Sequence, residues 1–346
     1  MSLLNGNNEP FIIAELSANH GGSLEMAVET VRAAKRAGAD AIKLQTFTPD
    51  TLTIDCDNAW FKDLLRGTLW EGNTLYALYS QAYTPWEWHA GLFRVAREEG
   101  IQCFSSPFDA TSVDFLEQFD PPAYKIASFE IRDIPLIEYV ASKGRPVILS
   151  TGIAGLRDID LAVQACRSQG NDRIILLKCT SSYPAPFSEA NLATIPALRA
   201  AFGTEAGLSD HTPGLAAPVV AVTLGATVIE KHFITDRSVG GPDASFSLTE
   251  QEFAAMVQAV RQARQAVGAV TFEPTQKARE SLRFGRSLFV VKDIQKGERF
   301  TTANVRSIRP AYGLHPQYLR LVLGARAKVS LKRGEPLQLN HCDLPE

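Results

Sequence analysis

Sulfur is scarce in this chain and none of it is organised. Its 346 residues include five cysteines (Cys56, Cys103, Cys166, Cys179 and Cys342), an odd number with no CxxC spacing. That excludes a disulfide framework and a zinc–thiolate cluster, and fits a reduced cytoplasmic protein. A basic excess is also missing: 35 lysines and arginines face 38 aspartates and glutamates, for a net charge of -3. Nucleic acid is therefore excluded as the main partner, because backbone phosphates demand a clear surplus of cations. A small anion is not excluded, since a few local cations suffice for it. No apolar run is long enough to span a membrane. The longest, 215–229, is interrupted by Pro218, Thr223, Gly225 and Thr227 and reads as a buried helix followed by a strand. The opening MSLLNGNNEP is polar and has no signal-peptide core. No GxGxxG follows the first apolar run, which argues against a dinucleotide-binding sheet.

What the chain does have is a rhythm. Eight short apolar runs end in polar, chemistry-capable residues: FIIAE (11–15), DAIKLQT (40–46), IQCFSS (101–106), AYKIAS (123–128), RPVILST (145–151), RIILLKC (173–179), GLSDH (207–211) and ATVIEKHF (226–233). Helical patterns lie between them, among them 86–99, 134–143 and 158–169. Ser23 is a helix N-cap, and Thr249 with Glu252 forms a capping box opening the helix after the eighth run. Alternating strands and helices predict an α/β fold, specifically a (β/α)8 TIM barrel whose site gathers at the C-terminal ends of the strands. Residues 48–84 form an insertion without a clean period, expected to carry small helices or a functional loop. The barrel is assigned to 1–268 and a polar linker to 269–286. A small β-rich domain follows at 287–346, with a weak internal repeat between KGERFTTANV (296–305) and RGEPLQLNHCDL (333–344).

The strand ends supply the candidate chemistry. Glu15 closes the first run, Lys43 and Gln45 the second, and Ser106 the third. Lys125, Ser128 and Glu130 follow the fourth, Ser150 the fifth, and Ser181 and Tyr183 the sixth; Ser209 and His211 end the seventh and Glu230 to His232 the eighth. Side chains two apart share a face of a strand, so Lys43 and Gln45 can both face the interior. A lysine near a strand end is more often a snorkelling surface residue. Lys43 and Lys125 are flanked by apolar residues, however, and two buried ammoniums demand an anion such as phosphate or carboxylate. His211 and His232 lack helical metal-motif spacing, yet the ends of strands seven and eight are neighbours in a barrel. Two imidazoles with oxygen co-ligands suit Mn, Mg or Co. His20 is a candidate for hydrogen bonding at the mouth; His89, His315 and His341 read as surface or packing residues.

AELSANHGG, GADAIKLQTF, FSSPFD, YKIASFEI, ILSTGIA, CTSSYPAP, GLSDHT, EKHF and GGPD occur in this order. This series resembles the sialic acid (nonulosonic acid) synthase family, over nearly the whole chain, and the C-terminal segment looks like that family's antifreeze-like (SAF) domain. AELSANH, YTPWEWH and CFSSPFD are most similar to the pseudaminic acid branch. The same chemistry on the N-acetylneuraminate or legionaminic precursor is the alternative. Gly21-Gly22, Ser17 and Ser181 depart from the neuraminate pattern and argue against N-acetylmannosamine as acceptor. The resemblance implies that phosphoenolpyruvate, an acetamido sugar and water give a nine-carbon acid and phosphate by C–O cleavage. It further implies that Lys43, Ser106, Lys125, Ser128, Ser150, Ser181 and Ser209 hold phosphoenolpyruvate. His211 and His232 would bind a divalent metal, Mn2+ first, with Glu15, Gln45 and Glu130 beside it, and Glu15 or Glu130 would be the base. Tyr183 and Asp243 would contact the sugar. Arg309 would reach into the partner's site in a domain-swapped homodimer. A metal-dependent aldolase and a non-catalytic carbohydrate- or ice-binding protein are the competing classes.

Overall fold

The computed structural model describes residues 9–344 apart from Leu69. The polar opening segment 1–8 therefore lies outside the described residues. The chain divides after Gly268 into two compact units, with residues 269–286 grouped with the second.

In the first unit eight parallel strands close into a barrel in sequence order. They are β1 Phe11–Glu15, β2 Ala41–Thr46, β3 Gln102–Pro107, β4 Tyr124–Ile126, β5 Val147–Ser150, β6 Ile174–Cys179, β7 Glu205–Asp210 and β8 Val228–His232. All eight runs expected from the sequence are strands, and β8 pairs back onto β1, with Glu15 beside His232. β7 begins two residues earlier than GLSDH suggests. It includes Gly207, where a Cβ would stand 2.2 Å from the Val228 carbonyl oxygen, so a side chain would force β7 from β8.

Alternation separates two cores. Phe11, Ile13, Ala41, Phe104, Ala123, Ile148, Ile175, Leu177 and Val228 form one buried cluster, the filling of the barrel. Their strand neighbours Ile12, Ile42, Leu44, Ile126, Leu149, Leu176, Leu208 and Ile229 pack outward against the helices. The inward set continues toward the C-terminal ends as Glu15, Lys43, Gln45, Ser106, Lys125, Ser150, Cys179, Ser209, Glu230 and His232. A period of two thus turns an apolar plug into a polar mouth one layer higher.

The helices follow their local signals. Ser23 caps Leu24–Arg36 by accepting from the Met26 N–H at 3.3 Å, and the Thr249–Glu252 capping box opens Glu250–Val267. The interrupted run 215–229 is helix Ala216–Thr223 followed by β8. Among the described residues no helix is long and apolar enough to cross a membrane. The insertion carries short helices at Pro49–Leu52, Ala59–Lys62 and Leu75–Ala82.

The second unit contains two antiparallel pairs, β9 Ser287–Val290 with β10 Val305–Ile308, and β11 Arg326–Ala327 with β12 Cys342–Asp343. Within 326–331 only Arg326–Ala327 are strand; beyond them Leu331 makes an isolated bridge to Ile294. The internal repeat has a structural counterpart. Gly297 and Gly334 both turn with positive φ (84° and 93°), and the apolar residues three positions on, Phe300 and Leu337, are both in the core. Within the former linker, Gln276–Ser281 is a short helix.

Candidate active site

The first cluster in the mouth is ionic. Glu15 pairs with the Lys43 ammonium, which also donates to Ser106 Oγ at 3.3 Å. Glu230 Oε1 lies 3.8 Å from Lys43 Nζ and 3.6 Å from Lys125 Nζ, and accepts from Ser209 Oγ at 3.2 Å. Glu15, Lys43, Lys125 and Glu230 are all buried, between 1 and 5% exposed. Isolated charges so placed are costly, so each is held by its neighbours. Burial pushes the Glu15 carboxyl up to about 7, against the Lys43 ammonium and with help from the Glu230 charge. At Glu230 burial is outweighed by Lys125 and Lys43, which hold its carboxyl below the usual range. Burial pulls Lys125 down from the ordinary lysine value. Glu130, in the turn Ser128–Arg132 after β4, is pushed by burial to about 7.

Glu230 was named among the chemistry-capable strand ends but given no role in the site. The signal was available: it sits two positions before His232 on one strand, so both face inward. Gln45 extends the network, donating to Glu15 Oε1 and to Ser17 Oγ at 2.9 Å each. Ser17 in turn donates to Asp243, whose Oδ2 stands 3.9 Å from His232 Nδ1.

The second cluster is a small cradle. The Gly152 N–H donates to Ser128 Oγ at 3.2 Å. A Cβ on Gly152 would lie 2.1 Å from Ser181 Oγ, 2.7 Å from Ser128 Oγ and 3.1 Å from Cys179 Sγ. These three side chains pack directly onto the bare Cα of Gly152, an approach that only glycine allows. Ser150 Oγ and Ser181 Oγ are buried without a hydrogen-bond partner among the described residues, as are Glu130 Oε2 and His232 Nδ1. Buried polar atoms are normally satisfied, so this concentration in one mouth marks a place where a polar ligand supplies the partners. Cys179, not expected at the site, places Sγ 3.8 Å from His211 Nδ1. Burial raises its thiol, but His211 and Ser128 more than offset that and bring it to about 7.

The third cluster is imidazole and aromatic. The His211 and His232 rings lie 5.3 Å apart. His211 Nδ1–H donates to the Thr180 carbonyl at 2.9 Å. Burial pulls the ring's pKa down, but the Cys179 thiol and this carbonyl outweigh it and hold the pKa above the ordinary imidazole value, so Nε2 offers a lone pair once the ring loses its proton. Burial, with His211 as the next cause, holds His232 well below the ordinary imidazole range, so it is neutral. One oriented imidazole and one buried neutral ring without a partner fit a divalent metal. Among the described residues no group of three or more His, Cys, Asp or Glu is placed to hold a metal ion, so the two imidazoles stand without a third ligand of these types. Tyr183 packs on His211 at 4.4 Å, Phe246 at 5.2 Å and Trp70 at 5.8 Å between ring centres. Trp70 comes from the insertion and donates from Nε1 to the Pro242 carbonyl at 3.3 Å, so the insertion lies against the sugar-side candidates Tyr183 and the 240–243 turn.

Other candidates fall elsewhere. Ser105 faces outward, bonded at 2.6 Å to Thr46, which bonds His89 at 2.9 Å; His89 is buried packing, not surface. His20 is not part of the mouth network: its Nδ1 accepts from the Gly22 N–H at 3.1 Å and its ring packs edge-on to Trp88. His315 and His341 accept from backbone N–H groups in turns of the second unit. Arg309 is exposed in that unit, and among the described residues its side chain has no partner. An open cavity of about 1200 Å³ lies at the opposite end of the barrel, beside Arg145, Arg173 and Glu205 at the starts of β5 to β7. It contains none of these clusters.

A barrel enzyme with a mouth bearing buried lysines, carboxylates and imidazoles is the class that this fold and site define. Residues 30–271 match the NeuB family and residues 285–341 match the SAF domain. The chain belongs to the NeuB family. It is 48% identical over 334 residues to a pseudaminic acid synthase of Campylobacter jejuni, covering 96% of this chain and 97% of that protein. To the pseudaminic acid synthase of Helicobacter pylori it is 46% identical, over 95% of this chain and 96% of that one. A crystal structure of N-acetylneuraminic acid synthetase from Leptospira borgpetersenii is 32% identical. It superposes with a TM-score of 0.70 over 82% of this chain and 95% of that chain.

Proposed function

We propose that this protein makes pseudaminic acid from phosphoenolpyruvate, 2,4-diacetamido-2,4,6-trideoxy-β-L-altropyranose and water, releasing phosphate. The observation that carries the reading is the pair of buried lysines beside the glycine-built cradle of unsatisfied hydroxyls. Phosphate and carboxylate oxygens are acceptors that match both. The choice of sugar rests on identities of 48 and 46% to pseudaminic acid synthases, against 32% to the N-acetylneuraminic acid synthetase. The wall of Trp70, Tyr183 and Phe246 supports a sugar with apolar acetamido methyl and deoxy groups.

Lys43 and Lys125 bind the phosphate and carboxylate of phosphoenolpyruvate, with Ser106, Ser128, Ser150, Ser181 and Ser209 completing the acceptor contacts. The π pair of the enol double bond forms the new bond to the aldehyde carbon of the open-chain sugar, and the carbonyl π pair moves to the aldehyde oxygen, which takes a proton to become a hydroxyl. Water adds at the second carbon, losing its proton to a carboxylate, and the adduct expels phosphate with cleavage of the C–O bond. His211 and His232 hold the divalent cation, Mn2+ first among Mn, Mg and Co, which supplies Lewis-acid polarisation of a carbonyl oxygen. Glu15 is the first choice as base and Glu130 the second. Tyr183 and Asp243 orient the sugar.

A carboxylate serves as base only when ionised. With Glu15 raised to about 7, kcat/KM is expected to climb as pH rises through about 7 and to level off above it. Glu130 is raised to about 7 as well, so the variants separate them. Glu15→Gln should abolish the limb along with most of the rate, whereas Glu130→Gln should retain it. The reverse outcome in a pH–rate profile makes Glu130 the base.

We also propose that the active form is a domain-swapped cytoplasmic homodimer in which Arg309 completes the partner's site. Its unpaired exposed guanidinium supports this, as do Val270 and Phe272, which are 93 and 97% exposed, more than an isolated chain usually leaves to water. Arg309→Ala should raise KM for the sugar with dimerisation unchanged by sedimentation; wild-type kinetics would remove the arginine from the site. The acceptor assignment is tested by phosphate release with the altrose derivative, N-acetylmannosamine and the legionaminic precursor. The altrose should give the highest kcat/KM, and preference for either other sugar overturns the choice.

A further inference from the structure

The alternation that turns Glu230 and His232 inward turns Lys231 to the outer face of the barrel. On the neighbouring strand it turns Asp210 outward, between the inward residues Ser209 and His211. The β7–β8 register sets Asp210 beside Lys231, and the two side chains pair. They are 2 and 1% exposed, so neither is in reach of a substrate in the mouth. Both also grip one residue: the Lys231 ammonium donates to the Thr212 carbonyl at 2.6 Å, and Asp210 Oδ1 accepts from the Thr212 N–H at 2.9 Å. Thr212 follows His211, and Lys231 precedes His232. The turn leaving β7 is thereby clamped to the end of β8, with an imidazole immediately beside the clamp on each strand. From the other side, the His211 carbonyl accepts from the Ala185 N–H and its ring is bonded to Thr180.

A buried ion pair is a poor device for stability alone, since apolar residues of the same volume usually do as well. Its advantage is direction. Two charges and two backbone dipoles define one geometry for the turn, and small residues or branched apolar ones would not.

We propose that Asp210 and Lys231 are positioning residues that set the place of His211 relative to His232, and so the affinity for a divalent cation. The inference rests on the reading of the two histidines as metal ligands. Outer groups that orient a ligating histidine typically contribute about 10–100-fold in metal affinity. Removing one charge leaves the other buried and unpaired, so the informative variant is the double substitution Asp210→Asn, Lys231→Met. That variant keeps an acceptor for the Thr212 N–H and is nearly neutral for folding.

The experiment is titration of metal-stripped full-length protein with Mn(II), read by calorimetry and by the resonance of free Mn(II), with no substrate present. Wild type should bind one Mn(II), and His232→Ala should not. The double variant should keep its melting temperature within a few degrees and bind phosphoenolpyruvate as before, but with a Kd for Mn(II) raised about 10–100-fold. Its kcat should recover at saturating Mn(II). A folded double variant with a Kd within twofold of wild type overturns the inference and leaves the metal reading intact. A wild-type protein that binds no Mn(II) overturns the metal reading and the inference with it. Should the double variant not fold, Lys231→Arg keeps the charge and displaces the donor; the same weakening is expected, and an unchanged Kd counts against the proposal.

Discussion

Lys125→Met should lower kcat/KM for phosphoenolpyruvate by about 10²–10⁴-fold, the equivalent of about 3–5 kcal/mol for breaking a buried charge pair. Methionine keeps most of the volume, so packing is spared. The charge balance is not. Lys125 is 2% exposed and 3.6 Å from Glu230, whose remaining cation, Lys43, is at 3.8 Å and already paired with Glu15. The variant thus loses an attractive cation and uncovers a negative charge where an anion must sit. Both effects weaken phosphoenolpyruvate, which should be visible as lost binding in calorimetry before any turnover is measured. Adding Glu230→Gln to Lys125→Met should restore most of the melting temperature and little of the activity. If Lys125→Met bound phosphoenolpyruvate normally, the lysine pair would not be the anion site.

Gly152→Ala should raise KM for phosphoenolpyruvate by about a hundredfold or more, because one methyl takes the place now held by the Ser181 and Ser128 hydroxyls. At 2.1 Å from Ser181 Oγ and 2.7 Å from Ser128 Oγ, the new carbon cannot be accommodated unless those hydroxyls turn away. The hydroxyls that turn are the ones proposed to meet the phosphate and carboxylate. Overpacking of this kind costs about 1–3 kcal/mol of stability, so the protein should still fold. The separation of the two effects is the point: circular dichroism should show a folded barrel and steady-state kinetics a collapsed affinity. Wild-type KM in a folded Gly152→Ala protein would move the anion elsewhere.

The barrel and much of its mouth could be read from the sequence because both follow from a period of two. Apolar runs placed the strands, and parity within KLQ placed Lys43 and Gln45 on one face. Glu230 obeys the same rule and was obscured by the more conspicuous histidine two positions on. Cys179 shares that parity with Leu177, but a lone cysteine carries no signal of the His211 ring beside it. What parity cannot show is contact between distant loops. Trp70 meets Pro242 across 172 positions, and Phe246 meets Tyr183, through irregular segments with no periodicity to read. Gly152 was invisible for another reason: its role is the absence of an atom, and only the positions of Ser128, Ser181 and Cys179 reveal it. The outward turn of Ser105 shows the converse, that a hydroxyl next to a site residue serves packing when parity opposes it.

The central claim is a condensation that cleaves the C–O bond of phosphoenolpyruvate in the barrel mouth. The direct measurement is a reaction of the purified protein with Mn(II), the altrose derivative and phosphoenolpyruvate labelled with ¹⁸O in the bridging position, followed by mass spectrometry of both products. All of the label should leave with inorganic phosphate, and the nine-carbon acid should carry none. Label retained in the acid, or no phosphate released with any acetamido-hexose, would contradict the account.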